Sequence, residues 1–216
     1  MKERPIIFSG EMVKAILEGR KTQTRRVMKP QPVLKKGFYE WAKGGWSESV
    51  ERIKPLMPSH SISNRCPYGT IRDRLWVRET WAHDDPDCKD IGCGNRDHIW
   101  WKASEEKIVA DSFAGDAHWR PSIHMPRWAS RIILEITDVW IERLWKITND
   151  DVLAEGIKQT KDGSYLAPLA GVDGFPWQHA VPAFASLWND INDKRGYGWD
   201  VNPWVWVIEF RRLNAD

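Results

Sequence analysis

The residues of this chain best suited to chemistry lie together near its start, in Arg20, Lys21, Thr22, Gln23, Thr24, Arg25 and Arg26. This stretch places four fixed cations and two hydroxyls just past a helix stop. Two chemistries are open to it. Clustered guanidinium and ammonium groups hold an anion such as a phosphate. A lysine close to a threonine can act on a carbonyl, if a base deprotonates the nucleophile and donors meet the oxyanion. The plain alternative is a solvated basic turn, which is what most charge runs are.

Other residues qualify on type and spacing. Arg127 and Arg131 flank Trp128, and guanidinium planes beside an indole suit a base or a phosphate. The alternative is one core tryptophan with two surface arginines. Arg78 and Glu79 lie at the end of a strand-like run. His83, Cys88, Cys93 and His98 follow the spacing H-x4-C-x4-C-x4-H, and thiolates with imidazoles suit zinc. That spacing departs from the usual finger pattern, so no metal is assigned and the loop remains only a candidate. Glu155 alone reads as a solvated helix-end residue. There is no G-x-S-x-G elbow, no P-loop and no G-x-G-x-x-G fingerprint.

The elements that must position these groups follow from pattern. Ser9 reads as an N-cap with Glu11 in the first turn, Met12, Val13, Ile16 and Leu17 share one face, and Gly19 stops the helix, predicted over residues 10 to 18. If the chain then runs extended, Thr22 and Thr24 share a face and Lys21 takes the other; in a turn, Lys21 and Thr24 approach. Strands are expected over residues 73–81, 99–103, 132–140 and 203–213. Thr148 reads as the N-cap of a helix over 150–155 that Gly156 ends, and 182–192 as an amphipathic helix. Residues 30–70 are rich in Pro and Gly and read as loop with one short strand around 37–46; residues 83–98 and 158–176 read as loops. The order suggests one α+β domain around a mixed or barrel-like sheet.

Composition narrows the function. The 216 residues carry a net charge of only +2, which argues against a purely electrostatic polycation but not against a nucleotide pocket. Three cysteines are too few for a disulfide framework, and neither a leader-like nor a membrane-length apolar run occurs, so a cytoplasmic protein without membrane association is expected. Fifteen tryptophans are spread along the chain, and most should be core.

Three segments resemble the ASCH family, whose members have a PUA-like β-barrel. Residues 16–26 are similar to its G-x-K-T-x-T-x-R signature after the first helix, residues 144–157 (LWKITNDDVLAEGI) to a helix ending in Glu-Gly, and residues 204–213 to its closing V-x-E-F strand. The wording of PSIHMPRWASRI and GYGWDVNPWVWVIEF is similar to a phage and prophage subgroup, and places the protein in a bacterial or prophage-carrying cell. The resemblance implies a PUA-like mixed β-barrel with flanking helices in one domain over 1–216, with insertions at about 30–70 and 82–123. It also implies RNA or nucleotide-related ligands. One small bacterial branch hydrolyses the acetyl amide of N4-acetylcytidine with a Lys, a Thr and a Glu, and these roles fall here on Lys21, Thr24 and Glu155. Arg20, Thr22, Arg25, Arg26, Arg78, Glu79, Arg127, Trp128 and Arg131 are then the expected ligand-binding residues. The expectation is an amidohydrolase of a modified cytidine-type nucleoside, working without a cofactor. The alternatives are a non-catalytic RNA- or DNA-binding phage accessory protein using the same pocket, and a protein-interaction factor.

Overall fold

The computed structural model describes residues 1–41, 44–47, 52–53, 65–83, 99–107, 119–167 and 177–213. The strands are β1 (Glu3–Ile7), β2 (Gln23–Val27), β3 (Val33–Lys35), β4 (Phe38–Trp41), β5 (Gly44–Ser47), β6 (Arg52–Ile53), β7 (Arg74–Arg78), β8 (Trp81–His83), β9 (Ile99–Trp101), β10 (Ile133–Arg143), β11 (Lys158–Gln159), β12 (Tyr165–Leu166) and β13 (Trp204–Leu213). The α-helices are α1 (Gly10–Leu17), α2 (Asn149–Ala154) and α3 (Ala180–Asn192). The protein is α+β.

Both short helices are set by local chemistry. The Ser9 side chain accepts from the Met12 N–H, and α1 turns Val13, Ala15 and Ile16 inward before Gly19 adopts φ +76°. Thr148 and Asp151 form a reciprocal capping box at the start of α2.

The main sheet runs β1-β7-β10-β13-β2, with β6 pairing the far end of β10. Among the described residues, only β1 and β7 of this sheet pair in parallel. The long β10–β13 ladder is its centre, and both of its faces are covered. Ile136, Val139, Ile141, Trp206, Ile208 and Phe210 join α1 in one core, whereas Trp140, Val205 and Val207 join α2 and α3 in another. Alternation along the strands divides the residues between the two, so β13 reads as a continuous apolar run. β1 and β2 end the strand order, yet the Arg26 guanidinium on β2 donates to the Ile7 carbonyl on β1 at 2.6 Å. No helix among the described residues is long and apolar enough to cross a membrane.

Several expectations change. β1 was not foreseen; it buries only Ile6 within its five residues and carries a proline, so its pattern is faint. β10 continues to Arg143, three residues past the expected end, which carries Glu142 into the interior. The stretch read as loop with a single strand forms the antiparallel meander β3-β4-β5, where Tyr39, Trp41 and Trp46 are buried. Trp46 meets Trp204 edge-on at 5.0 Å between centroids, and Trp41 meets Trp206 at 5.5 Å. The Pro and Gly count had hidden this aromatic alternation. The expected loop from 158 also contains the small hairpin β11–β12. Eight tryptophans are core, and Trp145 is exposed.

Because Trp46 belongs to the main core, Trp46→Ala should cost about 3 kcal/mol or more in urea unfolding, as core aromatic truncations do. A loss below about 0.5 kcal/mol, typical of surface sites, would show the meander to be peripheral.

Candidate functional site

The site begins where the end of α1 meets the end of α2. The last carbonyls of a helix have no partner within it. Here the segment between α1 and β2 supplies the donors: the Arg20 side chain to Gly156 O at 2.6 Å, Lys21 Nζ to Glu155 O at 2.8 Å and the Thr22 N–H to Ala154 O at 2.8 Å. Cations also suit the negative end of a helix dipole. Gly156 makes the junction possible. Its φ is +96°, and a Cβ there would lie 3.0 Å from Ala15 Cβ and 3.1 Å from Lys21 Cβ.

This docking buries Lys21, 2% exposed, against Glu155, 4% exposed. The ammonium donates to Glu155 Oε2 at 2.7 Å, Glu155 O at 2.8 Å and Gln23 O at 2.8 Å. All three N–H bonds are taken, so the nitrogen lone pair becomes available only when the proton shared with the carboxylate moves across. Burial pushes the Lys21 ammonium below the ordinary lysine value, the nearby Glu155 carboxylate pulls it back, and Arg26 and Arg25 push down again. The nitrogen also lies 5.5 Å from the centre of the Phe8 ring, on which the Arg26 guanidinium stacks at 5.1 Å. Phe8 shares its core with Ile208, the register partner of Thr24. The tip of Lys21 therefore reaches the face of the sheet that carries Thr24, which is 3% exposed. After Gly19 the Arg20 and Lys21 N–H groups still donate to Ala15 O, so the chain is turning off α1 there and becomes strand only at Gln23, with Thr22 on the surface and Thr24 inside.

Behind this pair lies a buried ionic network. Arg25 Nη2 meets Glu142 Oε1 at 2.8 Å and Asp151 Oδ2 at 3.2 Å, while Nη1 meets Glu155 Oε1 at 3.3 Å and Gln23 Oε1. Gln23 Nε2 donates to Asp151 Oδ1 and to Glu209 Oε1, both at 3.2 Å. The Trp140 indole donates to Glu142 Oε2 at 2.9 Å. Burial raises the Asp151 carboxyl, but donation from the Thr148 N–H, the Arg25 charge and the Thr148 and Gln23 side chains together bring it below the usual range.

Lys21, Glu155, Arg25 and Arg26 thus converge. Arg20 also pairs with Glu18 at 2.7 Å, at the rim. Arg78 stacks on Trp76 at 4.7 Å, and its carbonyl accepts from the Phe8 N–H. The remaining expected binding residues are engaged elsewhere. Arg131 forms a forked pair with Glu79, at 2.9 and 3.0 Å, and stacks on Trp101 at 4.7 Å. Burial raises the Glu79 carboxyl and Arg131 counters it. Arg127 pairs with Glu3 at 2.9 Å, and Trp128 meets Trp81 edge-on at 5.8 Å. Trp128 is partly buried, Arg127 is exposed, and Arg131 is half-buried against the buried Glu79. Of the zinc candidate, Cys88, Cys93 and His98 and the side chain of His83 lie outside the described residues.

Sequence reasoning missed Glu142, Asp151, Gln23, Phe8 and Trp140. Only Asp151 left a signal, as the acidic residue three after the Thr148 cap.

Gly156→Ala should lower stability by more than about 1 kcal/mol, the scale at which an Ala forced to positive φ costs, read in thermal or urea unfolding. Lys21 also sets a pH dependence. Its folded pKa lies below the unfolded value of about 10.4, so between the two the unfolded chain binds more protons. Stability from this group is present above the unfolded value and is lost as pH falls through the folded one. Unfolding free energy should rise with pH in that window, and the rise should be smaller in Lys21→Met. Comparison with protein-family models, curated proteins and solved structures returns no match.

Proposed function

We propose that the chain is an ASCH-type amidohydrolase that removes an acyl group from a modified cytidine-type nucleoside. The observation that carries the reading is the buried Lys21–Glu155 contact at 2.7 Å, made by two residues that the family resemblance assigns to catalysis. The Arg26 side chain that spans from β2 to β1 supports the PUA-like barrel that goes with it.

In this reading, the Thr24 hydroxyl, or a water that it orients, attacks the amide carbonyl carbon. The proton passes to the Lys21 amine, freed for the purpose by transfer of its own proton to Glu155. Glu155 then delivers a proton to the departing exocyclic amine, so that cytidine leaves neutral. If Thr24 is itself acylated, a water completes hydrolysis by the same relay. Arg26 and Arg78 hold the ligand near Phe8.

A second reading keeps the pocket but not the turnover, as a nucleic-acid-binding phage accessory protein. Guanidinium groups stacked on indoles, Arg78 on Trp76 and Arg120 on Trp81 at 5.2 Å, favour it.

The test is release of cytidine from N4-acetylcytidine, followed by chromatography. The wild type should turn over; Lys21→Ala should abolish release, and Thr24→Val should reduce kcat roughly a hundredfold or more, with the fold checked by circular dichroism. No cytidine from folded wild-type protein would sink the substrate, and salt-sensitive RNA or DNA binding without product would favour the second reading.

A further inference from the structure

We propose that Arg25 is the positioning residue of the Lys21–Glu155 pair: anchored by Glu142 and Asp151, its guanidinium holds one oxygen of the Glu155 carboxylate and so directs the other to Lys21. The inference rests on reading Lys21 and Glu155 as the acid–base pair.

Arg25 sits opposite Val207, on the sheet face that Val205, Val207 and Trp140 otherwise make apolar. A charge on that face is expensive unless it is fully paired. Arg25 is 4% exposed and is met by carboxylates from two elements. Asp151 and Glu155 stand four residues apart, on one face of α2 and its last turn. The guanidinium reaches both, at 3.2 and 3.3 Å, and Glu142 of β10 at 2.8 Å. A planar fork can hold three carboxylates at fixed angles, which a lysine cannot. Each anchor is itself held, Glu142 by the Trp140 indole and Asp151 by Thr148. The two oxygens of Glu155 are therefore divided, Oε1 to Arg25 and Oε2 to Lys21. The G-x-K-T-x-T-x-R signature leaves position 25 open, so the resemblance does not supply this role.

The charges around Lys21 give the test its sign. Lys21 faces Glu155 from α2 and Arg25 and Arg26 from β2. Glu142 from β10, Asp151 from α2 and Glu209 from β13 act through Arg25 and Gln23, and Arg20 bonds at Gly156. Arg25→Met removes a like charge and frees the second oxygen of Glu155. Lys21 should then titrate higher. Glu142→Gln keeps the shape but removes an anion that neutralises Arg25, so Lys21 should titrate lower.

The experiment is an NMR titration of the Lys21 side-chain amine in wild type, Arg25→Met and Glu142→Gln, without substrate. Opposite shifts support the proposal. An unmoved Lys21 in folded Arg25→Met, or shifts in the same direction, overturns it, because a residue that only fills space has no such sign pattern. If Arg25→Met does not fold, the nearly isosteric Glu142→Gln decides: a downward shift supports, and no shift or an upward one overturns. No turnover enters the reading, so failure of the acyl-nucleoside substrate and failure of the Arg25 role are separate results.

Discussion

A short helix that ends against the edge of a sheet leaves carbonyls with no partner inside the helix, and the site grows from how these are satisfied. Ala154, Glu155 and Gly156 each offer an oxygen, and Thr22, Lys21 and Arg20 each supply a donor. Capping of α2 and burial of Lys21 are therefore one event. Had the lysine served the helix end alone, its ammonium would keep a free N–H. The Glu155 carboxylate, projecting from the capped residue itself, takes it instead.

The surrounding network explains how such charges persist inside. Removing one member of a buried pair leaves an uncompensated charge, worth about 3–5 kcal/mol. Here Lys21 and Arg25 are distributed over Glu142, Asp151 and Glu155, with Gln23 linking on to Glu209. The members come from α2, β2, β10 and β13. The relative placement of all four is thus tied to the same hydrogen bonds that set the acid–base pair, and geometry at Lys21 is inherited from the fold rather than from a mobile loop.

The sheet supplies the two environments this needs. β10 and β13 present one face to the α1 core and the other to the α2–α3 core. β2, at their edge, divides its residues likewise: Arg25 turns to the ionic network and Thr24 lies opposite Ile208 on the α1 side. Lys21, placed just before the strand, is bonded to the first and its nitrogen stands near Phe8 on the second. A lysine within the strand would serve only one face.

What the sequence determined by itself is local. The Ser9 and Thr148 caps, the stops at Gly19 and Gly156, the helix α3 and the long apolar run of β13 follow from side chains acting on neighbouring backbone or from unbroken periodicity. The meander was hidden because its prolines and glycines outweigh its alternating aromatics, and β1 because one buried residue makes no pattern. That Lys21 and Glu155 are mates, 134 positions apart, was suggested only by family resemblance. Glu142, an ordinary strand-end glutamate by type, is wholly buried because β10 continues three residues further into a covered sheet. That Arg127 meets Glu3 and Arg131 meets Glu79, partners remote in sequence, cannot be read from a chain. Charge pairing over such separations is decided by sheet register and helix docking, which only the tertiary structure sets.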